Sequence, residues 1–252
     1  MNEQFWKSYL LHNIVQFGRY FVFAGLAYLV FYILFKNKWI DKKIQKRFPD
    51  NQQIKREIRD SLVSIFIFSL VFIIIVAASK AGYTKLYKDF SYISKWYFWF
   101  SIPLLIFWHD TWFYWTHRLM HHPKIFKIVH RQHHLSHNPT PWTAFAFHPI
   151  EAFAEAGFVF IVFLVPVHPV CLLIVITWQM LFNVYGHMGY ELMSKWVHHS
   201  WIGRLFNTST HHNMHHRLTK GNYGLYFNFW DTIMHTNHPD YENQYHKNAQ
   251  TK

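Results

Sequence analysis

The sequence predicts an all-α integral membrane bundle, with four or five membrane-inserted helices and a cytoplasmic histidine-rich cap. Three observations predict it. Apolar stretches long enough to fill a ~30 Å hydrocarbon layer recur along the 252 residues. Basic residues concentrate in loops beside those stretches. The 21 histidines gather in short runs with helical spacing: HRLMH (His117 to His121), HRQHH (His130 to His134) and HHNMHH (His211 to His216).

A spanning helix needs about 20 mostly apolar residues. Ile14 to Phe35 is the first such stretch, with Arg19 near enough to its end to snorkel. Ser61 to Ser79 and Trp96 to Tyr114 follow, and then two shorter runs, Ala152 to Val167 and Val170 to Val184. Pro166 and Pro169, on either side of His168, fold these two back as an antiparallel hairpin that either crosses fully or lies shallow. The N-terminus lacks the short apolar core and small-residue cleavage site of a signal peptide, so the first hydrophobic helix is expected to remain in the protein. Residues 1–95 then hold the N-terminal membrane helices and a basic cytoplasmic loop, and 96–236 form the histidine-box domain. Residues 237–252 form a polar tail expected to be loosely held.

Charge sets the expected topology. The loop from Lys36 to Asp60 carries nine Lys or Arg residues, against four from Lys80 to Lys95, which places the 36–60 loop in the cytoplasm. Counting crossings forward, the third helix returns there at His117 and the fifth at His187. Every histidine run therefore falls on the cytoplasmic side, a convergence that was not an input to the count.

The net charge of +12 would suit nucleic acid, but the basic residues flank apolar runs, where positive-inside topology and anionic lipid headgroups account for them; no nucleic-acid partner is expected. Cys171 is the only cysteine, so no intramolecular disulfide or thiolate cluster can form and histidine alone must carry any metal chemistry.

Positions i and i+4 of a helix lie ~5–6 Å apart on one face. His117 with His121, His130 with His133 and His134, and His212 with His215 and His216 can each aim imidazoles at one point. His187, at the end of the fifth apolar helix, is read as a further ligand rather than a satisfied core histidine. Asp110 shares a stripe with Tyr114, His117 and His121 and could orient a ligating ring from behind, or cap the helix at the membrane interface. Asn183, one turn before His187, is a weak-ligand candidate. His211 reads as a supporting or surface residue, and His148 as a possible ligand or substrate-side group. Glu151 opens the fourth helix, where the helix dipole favours a carboxylate whatever the function. His122, His137, His198, His199, His235, His238 and His246 lack a partner spacing and are expected to be exposed.

Imidazole suits zinc, copper, iron and nickel, so spacing does not name the metal. Number narrows it: a structural zinc takes four ligands and a catalytic one three, whereas nine candidates divide between two ions with positions left open for oxygen. Placed at a bilayer face, such a centre suits a substrate entering from lipid. A metal transporter or metal-storage membrane protein would instead line a path through the bilayer with ionisable groups, which the middles of helices one, two and four almost entirely lack. A zinc lipid hydrolase is the other alternative.

The three boxes, in this order and at these intervals, resemble those of the fatty acid hydroxylase superfamily, which includes sterol desaturases and sterol C4-methyl oxidases. The likeness takes in Asp110, His148-Pro149 with Glu151, His187-Met-Gly-Tyr-Glu191, Asn222-Tyr-Gly, and Trp230-Asp231, over roughly residues 96–236. It implies a non-haem di-iron enzyme that uses O2 and electrons from an external donor, cytochrome b5-like or ferredoxin-like, to hydroxylate or desaturate a lipid. Under it the ligands are His117, His121, His130, His133, His134, His187, His212, His215 and His216. Asp110, Asn183 and Glu191 act as supporting groups or weak ligands, and no separate general acid or base is needed. The sequence departs from the family at Asn183, where some members carry histidine, and at His235, where glycine is usual. The HHxxHH and HxGYE details lean toward the C4-methyl oxidase branch.

Overall fold

A computed structural model describes residues 3–90 and 93–249. The described chain is helical, with only isolated bridges where extended segments meet. Among the described residues three helices are long and apolar enough to cross a membrane: Phe5–Leu34, Asn51–Lys80 and Pro169–Gly186. The first is α1 (Glu3–Tyr28) running on into a π-helical turn, Leu29–Leu34. α2 (Asn51–Lys80) starts ten residues before its apolar stretch, because the Asp50 carboxylate caps it by accepting from the Gln53 amide at 2.8 Å. Its polar first turns therefore project out of the apolar layer toward the histidines. α3 (Lys95–Met120) likewise continues past Tyr114 and carries His117 on its last turn.

The expected fourth span is not a long helix. α6 (Pro149–Ala156) loosens at Gly157 into a 3-10 segment, Gly157–Phe163. Two indoles of α3 explain the change: Trp112 Nε1 donates to the Ala154 carbonyl at 2.8 Å and Trp108 Nε1 to the Phe158 carbonyl at 3.0 Å. Those carbonyls would otherwise serve the next α-helical turn. The chain then turns at Pro166 into α7 (Pro169–Gly186), capped by His168, so the proline hairpin forms as expected.

Two ends are distinct. At one, the basic loop pairs with the segment after α7: Lys43 bridges Tyr190, Ile44 N–H donates to the Gly189 carbonyl and Glu191 N–H to the Lys42 carbonyl. Lys43 is fully buried there, its ammonium 5.0 to 5.1 Å from the ring centres of Tyr32, Phe48 and Tyr190. At the other end Leu86 bridges Val167, with Lys85 N–H donating to the Val162 carbonyl. The 36–60 loop and all three histidine boxes thus share one end.

Short elements complete the site end: α4 (Pro123–Val129), α5 (Arg131–His134), a 3-10 turn Pro141–Phe145, α8 (Lys195–His199), α9 (Ser209–Leu218), α10 (Phe229–Ile233) and α11 (Tyr241–Asn248). The tail expected to be loose is held as far as residue 249, and 250–252 lie outside the described residues. Tyr241 and Tyr245 share one face of α11 and bury against Met214 of α9; their hydroxyls donate to Thr208 Oγ1 and the Met193 carbonyl. Large apolar side chains left exposed on α1, α2 and α7, among them Ile14, Leu26, Leu70, Ile74, Leu173 and Leu181, form the surface a bilayer would cover.

Candidate metal centre

α3 and α7 end beside each other, with α5 and α9 laid across their ends. The nine box histidines meet there in two groups. His117, His121, His130, His134 and His215 bring one ring nitrogen each within 4.8 Å of the others, and so do His133, His187, His212 and His216. His121 is half-buried and the other eight are buried. The groups adjoin through His134 and His216, whose ring centres lie 4.9 Å apart.

Nε2 faces inward. In the first group the His117–His130, His130–His134 and His121–His215 Nε2 pairs stand 3.0, 3.1 and 3.1 Å apart. In the second, Nε2 of His187 is 3.3, 3.0 and 3.0 Å from those of His133, His216 and His212. Nδ1 faces outward. It donates to the carbonyls of Tyr223 from His117 (2.8 Å), Asn183 from His187 (2.7 Å), Gly221 from His215 (2.7 Å), Ala146 from His133 (3.3 Å) and His216 from His134 (3.4 Å). His130 Nδ1 lies 2.6 Å from Glu151 Oε1.

A carbonyl can only accept, so these partners place the proton on Nδ1 and leave the Nε2 lone pair bare. Bare lone pairs facing one another at 3 Å repel unless a cation lies between them. Two nitrogens bound to one ion at ~2.0–2.1 Å would stand roughly 2.9–3.4 Å apart for right-angled to tetrahedral ligation. The observed spacings fall in that range, so the donor set fits a pair of transition-metal ions. Burial drives the imidazoles toward the neutral, metal-ready form: His187 and His215 are pushed down to about 4, and His130, His133, His134, His212 and His216 well below the usual histidine range.

The supporting residues are not those the spacing suggested. Asp110 touches no box histidine: its Oδ1 accepts from the amides of Tyr226 (2.8 Å) and Phe227 (3.3 Å). Seven residues of helix put it about 10 Å below His117, too far to back the ring. Glu191 accepts from the amides of Met193 and Thr210, both at 2.9 Å, and so fixes the start of α9 instead of meeting a ring. Asn183 is buried and serves through its backbone carbonyl on His187. His148 caps α6 through Nδ1, which accepts from the Ile150 amide at 3.3 Å. His211 is buried outside both groups, 3.2 Å from Asn237 Oδ1 and 3.6 Å from Asp231 Oδ2. His198, expected at the surface, is buried against Tyr245, with Nε2 3.1 Å from Glu242.

Glu151, whose position the helix dipole accounts for in the sequence, is among the described residues the one carboxylate on any of the nine grouped histidines. Nothing in the sequence linked it to His130, 21 positions away. Glu57 was missed outright: Thr140 Oγ1 and Gln53 Nε2 donate to it at 2.5 and 2.7 Å, anchoring the Pro141–Phe145 turn that leads to the Ala146 carbonyl. Asn222-Tyr-Gly and Trp230-Asp231 form a carbonyl-shaping loop. Asp231 accepts from the Tyr223 and Gly224 amides and from Thr236 Oγ1, and Asn222 Nδ2 donates to the His211 carbonyl. That loop presents the carbonyls of Gly221 and Tyr223 to His215 and His117. His235, where the resemblance led to an expectation of glycine, has φ +52°, in the left-handed region that glycine enters without strain.

An all-α membrane bundle closed at one end by a buried double histidine centre defines the class of protein. Residues 102–236 match the family model described as fatty acid hydroxylase, and the chain belongs to that family. It is 31% identical over 226 residues to the Delta(7)-sterol 5(6)-desaturase ERG3B of Gibberella zeae, covering 86% of this chain and 66% of that one. Against the Delta(7)-sterol 5(6)-desaturase of Leptosphaeria maculans identity is 30%, covering 85% and 56%. Against human lathosterol oxidase it is 28%, covering 92% and 76%. The chain thus spans less than two thirds of the length of the two fungal relatives. These names are sterol desaturase and oxidase names and lend nothing to the lean toward C4-methyl oxidases. No solved structure matches.

Proposed function

We propose that this protein is a membrane-bound non-haem di-iron oxidoreductase. In this reading it uses O2 and electrons from a separate donor, cytochrome b5-like or ferredoxin-like, to hydroxylate or desaturate a C–H bond of a lipid such as a sterol or fatty acyl chain. The observation that carries it is the double set of inward-facing Nε2 atoms, with an acceptor on the outer nitrogen of six of the nine rings. His117, His121, His130, His134 and His215 would hold one ion, and His133, His187, His212 and His216 the other. When bound, the irons supply the reduction of O2 and the removal of hydrogen from an unreactive carbon. The chain's own groups do the rest. The carbonyls of Tyr223, Gly221, Ala146 and Asn183 and the Glu151 carboxylate orient the rings, Asp110 fixes the chain just after Tyr223 and Glu191 the start of α9, and the buried setting excludes water. Residues 96–236 would form the catalytic unit and 1–95 its membrane anchor. The basic 36–60 loop, lying at the histidine end, supports a cytoplasmic site by the positive-inside rule.

The test is metal content of the purified protein together with the mass of lipids extracted from cells with and without it. Two irons per chain and an O2-dependent gain of one oxygen or loss of two hydrogens are expected. Metal uptake into vesicles without oxygen consumption would favour transport, and product formation without oxygen a zinc hydrolase; either result overturns the reading.

A further inference from the structure

The histidine end is not polar all round. Between Glu191 and Asp231 the chain holds no acidic residue, and two short stretches of it leave large apolar side chains uncovered. On and just after α8, Trp196, Trp201, Ile202 and Leu205 are exposed, Trp201 by 78%. On α10, Phe229 and Ile233 stand one turn apart, 43% and 51% exposed. Lys195 and Arg204 are the only Lys, Arg, Asp or Glu among residues 194–206.

Contacts with α3 and α7 give the depth of these stretches. The Phe229 ring lies 5.5 Å from that of Phe107, and Trp230 Nε1 donates to Thr111 Oγ1 at 3.0 Å. Phe107 precedes His117 by ten residues of α3, about 15 Å of helix rise, and is itself exposed, so the apolar surface of α3 runs on into α10. On the other side, Phe206 stacks on Phe182 at 5.8 Å, and Tyr226 packs on Trp178 and Phe182 at 6.3 and 5.3 Å. Both partners belong to Pro169–Gly186, a helix apolar enough to cross a membrane. Beyond α9 the chain therefore turns back from the histidines to the level of the spanning helices.

Non-helical backbone at membrane depth is tolerated only where the protein satisfies its polar groups. Arg19 shows the rule on α1: instead of snorkelling, its Nη2 donates to the Ile176 carbonyl. Residues 226–228 obey it completely. The amides of Tyr226 and Phe227 donate to Asp110 Oδ1, and that of Asn228 to the Leu205 carbonyl. Their carbonyls accept from Asn207 N–H, Asn207 Nδ2 and the Thr232 amide in turn. Even the Tyr226 hydroxyl has a partner, His109 Nδ1 at 3.0 Å. Asp110, which backs no histidine, has its purpose here.

We infer that residues 202–206 and 225–233 form a wedge that dips into the bilayer leaflet on the histidine side, with Leu205, Phe229 and Ile233 against the acyl chains. Trp196 and Trp201 lie in the headgroup layer above them, where indoles are favoured. Lys195 and Arg204, with no acidic residue near them in sequence, suit anionic lipid headgroups there. A bilayer is the occupant that the surface fits, because the same apolar face continues unbroken from α3, which lipid already covers. The wedge belongs to the loop whose Gly221 and Tyr223 carbonyls hold His215 and His117, so that loop is rooted in lipid and a lipid of this leaflet meets the histidine domain without leaving the bilayer. The wedge does not depend on which metal the centre holds.

The test is photolabelling of the wild-type chain in nanodiscs of phosphatidylcholine and phosphatidylserine, using a phosphatidylcholine with a diazirine midway along one acyl chain and mapping the labelled peptides by mass. Residues 202–205 and Phe229–Ile233 should be labelled as heavily as the exposed residues of α7, and Tyr241–Asn248 should stay unlabelled. Hydroxyl-radical footprinting from the water phase should give the reverse pattern. Nitroxides in a Cys171→Ala parent measure depth independently: at Phe229→Cys and Ile233→Cys, dissolved oxygen should relax the label more than an aqueous nickel chelate does, as at Leu181→Cys and opposite to Asn243→Cys. Lipid labelling of only one of the two stretches, or water-phase oxidation of Phe229 and Ile233 at the level of α11, overturns the wedge, as does a nickel-accessible label at position 233. Shielding of both stretches from water without lipid labelling would mean that a protein partner covers them, and overturns it too.

Discussion

The two histidine groups are built from the same residue type but supported differently. In the first, every ring has an outer partner: Tyr223, Glu151, His216 and Gly221 serve His117, His130, His134 and His215, and the backbone of Thr219 serves His121. In the second, His133 and His187 rest on carbonyls, while the Nδ1 atoms of His212 and His216 are buried without a partner. A ring whose outer nitrogen is pinned has its tautomer and orientation set before the metal arrives. The first group is thus the preorganised one, and the second depends more on the ion to align it. Affinity should differ accordingly, with the second ion leaving first under a chelator.

The largest effect tests that division. His133→Ala removes a ligand from the looser group and should take activity below detection while the protein stays in the membrane. Metal should fall from two ions per chain to one, measured by elemental analysis. Retained activity at full metal content would remove His133 from the site, and loss of both ions would show that the groups do not bind independently.

Glu151→Gln probes the tighter group. The amide oxygen can still accept from His130 Nδ1, but without the charge that strengthens the bond. A fall of about 10–100-fold in activity or metal affinity is expected, the range typical of a partner behind a ligand. Chelator titration should show the first-group ion released earlier than in the wild type and the second unchanged. An effect confined to the second ion would reverse the assignment.

Much of this was legible in sequence, for a physical reason. Ligand spacing is a local helical property, so eight of the nine rings could be named from periodicity, His187 from its place at the end of an apolar helix, and the shared end from loop charge. What supports the rings is not local. Five of the seven partners, those of His117, His121, His130, His133 and His134, belong to segments brought in by tertiary folding, and most are backbone carbonyls, which carry no residue signature. Asp110 shows the limit of stripe reasoning: it lies on a suitable face but two turns from the ring it was expected to back. Whether the fourth run crosses fully stayed open in the sequence because apolar composition does not reveal that Trp108 and Trp112 would take the carbonyls its helix needed. The α11 helix was missed because Tyr241 and Tyr245 supply its whole apolar face within a polar stretch.

Gly221→Ala should act next in size and on the first group alone. Gly221 has φ +75°, and a Cβ there would lie 2.7 Å from the Thr236 carbonyl oxygen. Strain in that region costs about 1–3 kcal/mol, and relieving it would shift the carbonyl that holds His215. Reduced thermal stability with earlier release of the first-group ion is expected. A normal release profile would mean that the His215 carbonyl contact does not matter for binding.

The smallest effect runs the other way. His235 is exposed and sits at φ +52° in the loop that presents the carbonyls of Gly221 and Tyr223. The left-handed conformation costs a side-chain-bearing residue roughly 1–2 kcal/mol, and glycine gives back about 0.5–1 kcal/mol through its freer unfolded chain. His235→Gly should therefore gain about 0.5–1 kcal/mol, a rise in Tm of roughly 1–4 °C for a chain of this size. Because the strain is relieved only in the loop behind His117 and His215, release of the first-group ion should slow while the second is unaffected. A lower Tm would show that the His235 side chain makes a compensating contact, and equal slowing of both ions would show that the loop supports the two groups alike.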